Sequence, residues 1–394
     1  MAKGRSGKNR GGSRAGRPGQ SPQGVSSGGR PQLPRGIFPC SPGRGVPAGQ
    51  PGEKGVFPSG LPYPEGLSPL VTRKNPFLNL AAAVERNALT LPDALAALRP
   101  LSSQIPEVRD ALHFAVNEVF HESVPFPRVD ALAKVLSLWA NLQGDPLLTG
   151  QIHLHAGSCL YLRPDPAALS AAADLLATCQ ILFPKTHKLY SISLYREGMA
   201  HCQLADQGQD PEKHLEQGLE LLRAAQYRME RGSAAWATAL SQEAKARTRL
   251  FAYQPENAAL LEAAMAQAVE ASRYFPEGSE DWADCLTTES TAHLEMVGRW
   301  GLDEEHLERA LELTTAAGAC FPTGSPLWGA IRMNQAITHM KLARRGWRSL
   351  ENAEAAVKLF AEIEPVFPRG APTRQIWEHN RNNARLLRAE LQKR

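Results

Sequence analysis

Apolar positions recur every three to four residues along most of the chain after Asn75, which is the period of an amphipathic α-helix. The residues there are mainly Ala, Leu, Glu and Arg, which are strong helix formers. Almost no stretch alternates apolar and polar residues as a strand does. The first helices are predicted near 76–88, 92–99, 107–121 and 128–142. We therefore expect an all-α fold.

From about residue 145 to residue 394 the pattern repeats with a period of 46 residues. The repeated residues are Trp236, Trp282 and Trp328, then Gly232, Gly278, Gly324 and Gly370, and the pairs Phe275-Pro276, Phe321-Pro322 and Phe367-Pro368. A period of this length is typical of an array whose units bury their apolar faces against one another. The sequence therefore predicts an α-solenoid.

Each unit is predicted to be a hairpin of two helices, A and B. The unit begins with a turn in which Pro ends the preceding helix, Gly adopts an unusual backbone angle and Ser caps helix A. The capping residues are Ser233, Ser279 and Ser325. In the unit that begins at Phe275, helix A is expected at about 280–297 and helix B at about 303–320. The last unit has only a helix A, expected to be polar on all sides as a cap.

Three regions follow from the composition: a tail at 1–74, a helical part or cap at 75–144, and the repeats at 145–394. The tail contains 17 Gly and 12 Pro, and we expect it to be disordered because it cannot bury enough apolar surface. It holds 12 basic and 2 acidic residues, against 32 and 38 in the rest of the chain. Nucleic acid is one candidate partner of such a tail. A solubilising role and contact with an acidic protein are the alternatives.

The remaining composition narrows the protein's setting. No run of about 18 apolar residues is present, so no membrane span is predicted. The cysteines form no CxxC pair, which indicates free thiols rather than a disulfide framework or a zinc knuckle. They are Cys40, Cys159, Cys179, Cys202, Cys285 and Cys320. We expect a reduced, cytoplasmic protein without a cofactor.

The hairpins resemble the tetratricopeptide repeat, which has an aromatic residue near the start of helix A and small residues where the helices approach. The small residues here are Ala200, Ala246, Ala292 and Ala384 in helix A, and Ala264, Ala310 and Ala356 in helix B. A standard unit has about 34 residues, so the units here are longer. The long form, with Gly324 to Trp328 and Asn334, resembles repeats found beside caspase-like CHAT peptidase domains. No such peptidase domain is recognised in the sequence.

This resemblance implies a non-catalytic adaptor that binds a protein or peptide in the concave groove of the solenoid. Two alternatives remain open. One is a nucleic-acid-associated scaffold that uses the basic tail, and the other is a regulatory partner of a separate CHAT-type peptidase. An enzyme that acts alone is not expected, because solenoids rarely form closed pockets that exclude water.

A stripe of polar pairs on helix A supplies candidate binding residues. On a helical wheel Glu289 and His293 lie on the same face as Trp282, one turn apart. The pairs are Glu197 with His201, Glu243 with Arg247, Glu289 with His293, and Gln335 with His339, preceded by Gln151 with His155. The stripe either pairs between neighbouring A helices and fixes their register, or it lines the groove and binds a polar peptide. A metal site is a third, remote interpretation, since one such pair supplies too few ligands.

The tryptophans divide into two groups. The repeated series at the start of helix A is predicted to be core between units. Trp300 and Trp347 lie in the A–B loops beside arginines, where we consider them candidate contacts for a partner.

Overall fold

A computed structural model describes residues 74–120, 123–208, 210–298, 303–368 and 372–393. These residues contain fifteen α-helices, one short 3-10 helix at Glu364–Val366, and no strand. The prediction of an all-α fold is confirmed for them. The prediction that the basic tail is disordered falls on residues outside this part of the chain, except for Lys74.

The helices have these bounds: α1 Pro76–Glu85, α2 Leu91–Leu98, α3 Pro106–Val119, α4 Phe126–Leu142, α5 Pro146–Leu160, α6 Pro166–Leu182, α7 Lys188–Asp206, α8 Pro211–Arg228, α9 Ala234–Phe251, α10 Ala258–Ser272, α11 Glu280–Met296, α12 Asp303–Gly318, α13 Pro326–Arg344, α14 Ser349–Glu362 and α15 Pro372–Leu391. From α7 onward, the A helices α7, α9, α11, α13 and α15 start at steps of 46 residues. From α4 to α15 each helix packs against the next one. This consecutive packing of hairpins is that of an α-solenoid.

Helices α1 to α4 do not form two regular hairpins. Helix α1 packs chiefly against α4, and α2 and α3 lie between them in the chain. The Nδ2 of Asn75 donates to the carbonyl oxygen of Ala111 at 2.7 Å, and the Nε1 of Trp139 donates to that of Leu101 at 3.0 Å. The rings of Phe77 and Trp139 meet edge to face, 5.1 Å apart. Because α4 also packs against α5, this cluster covers the first regular hairpin.

The turn between units has the geometry that the sequence predicts. Gly232, Gly278 and Gly324 have φ values of 85°, 82° and 86°. The hydroxyls of Ser233, Ser279 and Ser325 accept hydrogen bonds from the backbone N–H groups of Trp236, Trp282 and Trp328 at 3.1 to 3.2 Å. The helix starts are therefore fixed by local chemistry that repeats from unit to unit.

The core between units contains the repeated tryptophans. Trp236 and Trp328 are buried, and Trp282 packs partly buried against Leu286 and its neighbours. Alanine at the helix B positions, such as Ala264 and Ala310, is fully buried, because a small side chain lets two helices approach closely. The prediction of a core role for these tryptophans is confirmed.

Helix α15 differs from the prediction, because it is not polar on all sides. Trp377 and Ala384 are fully buried on α14, and the Trp377 Nε1 donates to the Phe360 carbonyl oxygen at 3.0 Å. The guanidinium groups of Arg374 and Arg381 lie 4.1 and 4.3 Å from the centre of the Trp377 ring. A single apolar stripe among many charged residues is enough to dock the helix.

Two further observations concern the chain as a whole. In the described ranges, no helix combines the length and the apolar character needed to cross a bilayer. The five cysteines within those ranges carry free thiols, and all but Cys320 are buried. Cys320 follows the end of α12, whereas the other four lie within helices.

The inter-unit turn can be tested at Gly278. A Cβ at this position would meet no atom within 4 Å, so Gly278→Ala perturbs only the backbone angle. We expect it to lower the free energy of unfolding by about 1 to 2 kcal/mol. The control is Gly318→Ala, at a helical position where a Cβ would lie 3.6 Å from Ile331. This control should be neutral or stabilising by up to about 1 kcal/mol. Equal effects in urea unfolding would contradict the account of the turn.

Candidate functional site

The polar pairs predicted from the helical wheel lie on α7, α9, α11 and α13 and are largely buried. Glu243, Glu289 and Glu197 are 1%, 5% and 8% exposed, and Gln335 and Arg247 are buried as well. His201, His293 and His339 are half-buried. Within three of the pairs the acid and the base approach each other. The Oε1 of Glu197 and of Glu289 lies 3.9 Å from the Nε2 of His201 and of His293, and Glu243 forms an ion pair with Arg247.

The first residue of each pair is hydrogen-bonded to a B helix. Arg223 of α8 donates to Oε1 of Glu243 at 3.0 Å, and Arg309 of α12 donates twice to Oε1 of Glu289 at 3.1 and 3.2 Å. The two other bonds of this kind are those of Gln180 to Glu197 and of Gln335 to Thr315. We expected partners on neighbouring A helices if the stripe was structural, and these partners lie on B helices instead. The reason is that this face of each A helix is covered by the flanking B helices.

The second residue of each pair also contacts a B helix. Nδ1 of His201 lies 2.9 Å from Nδ1 of His214, and Nδ1 of His293 lies 2.7 Å from Nδ1 of His306. One ring of each pair must donate and the other accept, so each contact needs a neutral imidazole. In the unit without a histidine at this place, the Nε of Arg247 donates to Gln267 at 3.0 Å.

In the last contact of this kind, an asparagine takes the place of the histidine on the B helix. Nδ1 of His339 lies 2.7 Å from Oδ1 of Asn352, at the position 46 residues after His306. The Nδ2 of Asn352 donates to the carbonyl oxygen of Trp347 at 2.8 Å, which leaves Oδ1 as the acceptor. Nδ1 of His339 therefore donates. The protein thus contains a histidine–asparagine version of the histidine pairs.

Burial controls the protonation of the stripe. Desolvation, assisted by the partner imidazole, lowers the pKa of His201 and of His293 to about 4. Desolvation raises the pKa of Glu197 to about 7, against the lowering effect of its hydrogen bond from Gln180. It also raises the pKa of Glu289, against the effect of Arg309. At neutral pH the two imidazoles are uncharged, so these pairs do not form a ladder of alternating charges.

The faces where A helices meet are occupied by contacts within the protein. Lys245 of α9 forms an ion pair with Asp284 of α11, and Arg249 of α9 forms one with Asp206 of α7. The Nζ of Lys341 donates to the Leu294 carbonyl oxygen at 2.8 Å. In α9, fourteen of the 18 residues are buried. A peptide that binds to this part of the A helices would have to displace contacts of the protein itself.

The structure describes one of the two loop tryptophans that were predicted to contact a partner. Trp347 is half-buried and lines a cavity of about 300 Å³ with Asp303, Leu307, Leu342 and Arg345. Arg345 forms an ion pair with Asp303 at 2.8 Å, so the arginine beside this tryptophan is already engaged. Trp300 lies outside the residues that the structure describes.

An exposed edge of the hairpins was not predicted from the sequence. Ile181 at the end of α6 and Tyr227 at the end of α8 are 85% and 89% exposed, and they are 46 residues apart. The guanidinium of Arg228 lies 5.3 Å from the ring centre of Tyr190. The shared 46-residue step was the available signal, but exposure cannot be read from it. We call this surface the basic aromatic edge; it consists of Ile181, Lys185, Tyr227, Arg228, Arg231, Arg273 and Tyr274.

The edge continues through the turn into the next unit. Arg231 lies 5.7 Å from the ring centre of Trp236 and forms an ion pair with Glu270 at 2.8 Å. Tyr274 contacts the same tryptophan edge to face, with ring centres 5.4 Å apart. The buried tryptophan thus anchors side chains that reach the surface. Arginine and tyrosine are therefore presented there on rigid helix ends.

Metal binding finds no support in the arrangement of ligands. Among the described residues, no three or more His, Cys, Asp or Glu side chains are grouped so that they could hold a metal ion. The histidine pairs supply two nitrogens each, whereas structural zinc sites use four ligands.

The histidine pairs predict a pH dependence of stability. The pKa of His201 and of His293 is lowered on folding, from about 6.5 in an unfolded chain. The contribution of these neutral imidazoles to the free energy of unfolding is therefore complete above pH 6.5. It is lost as the pH falls toward their pKa in the folded protein, which is about 4. The double variant His214→Asn and His306→Asn copies the His339–Asn352 contact and removes the second imidazole. Between pH 6.5 and 4.5, we expect the free energy of unfolding of this variant to fall by about 1 to 2 kcal/mol less than that of the parent.

This difference should be measured by urea unfolding at a series of pH values. The raised pKa of Glu197 acts in the opposite direction in both proteins, so the comparison isolates the imidazole pairs. His379→Asn, at an exposed position of α15, is the matched control and should follow the parent. Parallel pH profiles for the parent and the double variant would contradict the account.

The sequence matches no protein-family model and no curated protein. The likeness to tetratricopeptide repeats therefore continues to depend on the residues of the hairpins themselves. The function has to be argued from the geometry of the buried stripe and of the exposed edge.

Proposed function

We propose that the protein is a non-catalytic interaction scaffold that binds a protein or peptide partner at the basic aromatic edge. The observation that carries this proposal is the exposure of Ile181 and Tyr227, at 85% and 89%, at equivalent positions of successive hairpins. A partner that covers these side chains removes apolar surface from water, which is favourable for binding. Among the residues that the structure describes, the other exposed leucines and isoleucines are at most 64% exposed.

The composition of the edge fits a protein interface. Tyrosine and arginine are enriched among the residues that dominate binding energy. Tyr227 and Arg228 are adjacent and exposed, and Arg228 is oriented by its stacking on Tyr190. Side chains that are held in place before binding lose less conformational entropy when a partner covers them.

The proposal moves the binding surface away from the A helices. Glu243, Glu289 and Gln335 are buried and already hydrogen-bonded to B helices. Using them for a partner would leave polar groups unpaired, at a cost of about 1 to 3 kcal/mol for each group. These contacts favour a role of the stripe in holding the hairpins together.

A nucleic-acid-associated scaffold is the second candidate. Its support is the charge of residues 1–74, with 12 basic against 2 acidic residues. Such a segment would bind phosphate with strong salt dependence. A regulatory role beside a CHAT-type peptidase has only the likeness of the repeats in its favour. The five free cysteines favour the reducing interior of a cell in each case.

The proposal can be tested by affinity capture from a lysate of the source cells. The baits are the full chain, the double variant Ile181→Ala and Tyr227→Ala, and the control Leu386→Ala. Leu386 is 64% exposed on α15, outside the edge. We expect the parent and the control to retain the same protein, and the double variant to lose roughly tenfold or more of it.

Two further measurements decide between the two candidate functions. Urea unfolding should give the same stability for all three baits, because the replaced side chains are mainly exposed. Nuclease treatment should leave the capture unchanged. Capture by the double variant at the level of the parent would reject the edge as the binding surface, and loss after nuclease treatment would favour the nucleic-acid-associated scaffold.

A further inference from the structure

The exposed charges of the basic aromatic edge are mostly positive. Lys185, Arg228, Arg231 and Arg273 are all exposed there, and Glu230, in the turn between Arg228 and Arg231, is exposed as well. Of these cations, Arg231 has the ion pair with Glu270. The edge therefore combines a positive excess with two exposed apolar side chains, Ile181 and Tyr227.

The arginines keep hydrogen-bonding capacity for a partner. Arg228 donates one hydrogen bond, from Nη1 to the carbonyl oxygen of Ala224 at 3.0 Å, while its guanidinium stacks on Tyr190. A guanidinium carries five N–H donors in a planar fork that matches a carboxylate. Stacking orients this fork without consuming its donors.

The positive charge of the edge gives way to negative charge at the turn that follows Tyr274. At the equivalent turn of the next unit the exposed residues are Glu277, Glu280 and Asp281. The B helices carry an exposed glutamate at one repeated position, namely Glu216, Glu262, Glu308 and Glu354. A long polyanion that extended beyond the edge would meet this negative charge. A short acidic segment would not.

We infer that the partner presents a short acidic segment that also carries apolar side chains. The carboxylates of this segment pair with Lys185, Arg228 and Arg273, and its apolar side chains cover Ile181 and Tyr227. Charge complementarity selects this occupant over a basic segment, and the aliphatic Ile181 selects it over nucleic acid, which binds by stacking on aromatic rings. This inference depends on the proposed function, because it describes the partner of the same surface.

The test uses short random peptides displayed on phage and selected on the full chain. Peptides that bind the variant Ile181→Ala and Tyr227→Ala are removed, and the survivors are synthesised with a fluorescent label. We expect the enriched peptides to have a net negative charge and several apolar residues. Fluorescence anisotropy should show that their affinity falls as the salt concentration rises.

Charge reversal on the protein supplies the second readout. Lys185→Glu with Arg273→Glu should weaken these peptides roughly tenfold or more, since like charges then face each other. The matched control, Lys358→Glu with Arg385→Glu, makes the same change in net charge at exposed positions of α14 and α15 and should leave binding unchanged. Equal unfolding free energies would show that both double variants are folded.

The outcomes separate the inference from the proposed function. Neutral or basic peptides that need Tyr227 would overturn the acidic partner and leave the edge as the binding surface. Peptides that ignore the Lys185 and Arg273 reversal would overturn it as well. A labelled single-stranded oligonucleotide that competes for the edge more tightly than the peptides would also overturn it. If no peptide depends on Ile181 and Tyr227, both the inference and the proposed function fail.

Discussion

Each interior A helix of the repeat array is held between two B helices, and this packing determines which surfaces remain available. Helix α9 packs against α8 and α10 and also contacts α7 and α11, so that fourteen of its 18 residues are buried. Apolar burial alone does not explain such a helix, because Glu243 and Arg247 are among the buried residues. Their charges are tolerated because the two side chains form an ion pair with each other, and Arg223 and Gln267 of the flanking B helices bind them as well.

The polar contacts also make the packing specific. The histidine contacts join residues 13 apart across one hairpin, and three of the glutamate or glutamine contacts join residues 20 apart. A slip of either helix by one residue would leave buried donors and acceptors unpaired, which costs more than the bonds contribute. These contacts therefore favour a role of the stripe in setting the register of the hairpins. The partner-binding role that we propose then belongs to the helix ends, where Ile181 and Tyr227 remain exposed.

Local features of the fold could be predicted from the sequence, and long-range ones could not. The repeated Gly, Ser and Trp of each turn predict helix A at 280–297, and α11 spans Glu280–Met296, because caps and turns depend on neighbouring residues. The packing of α1 against α4 depends on contacts between distant residues, such as Asn75 with Ala111. A helical wheel shows which residues share a face but not what covers it. It therefore grouped Glu289 with His293 without indicating that Arg309 and His306 bury them. For the same reason, the sequence alone does not show that Ile181 and Tyr227 are exposed rather than buried in the core.

The central claim is that the A helices hold the array together and that the ends of α6 and α8 bind a partner. Hydrogen–deuterium exchange of the full chain, with and without a captured partner or selected peptide, tests this claim most directly. The account predicts that binding slows exchange at the end of α6, the end of α8 and the turn through Arg231, and leaves α9 and α11 unchanged. Slower exchange confined to the A helices, with no change around Tyr227, would contradict it.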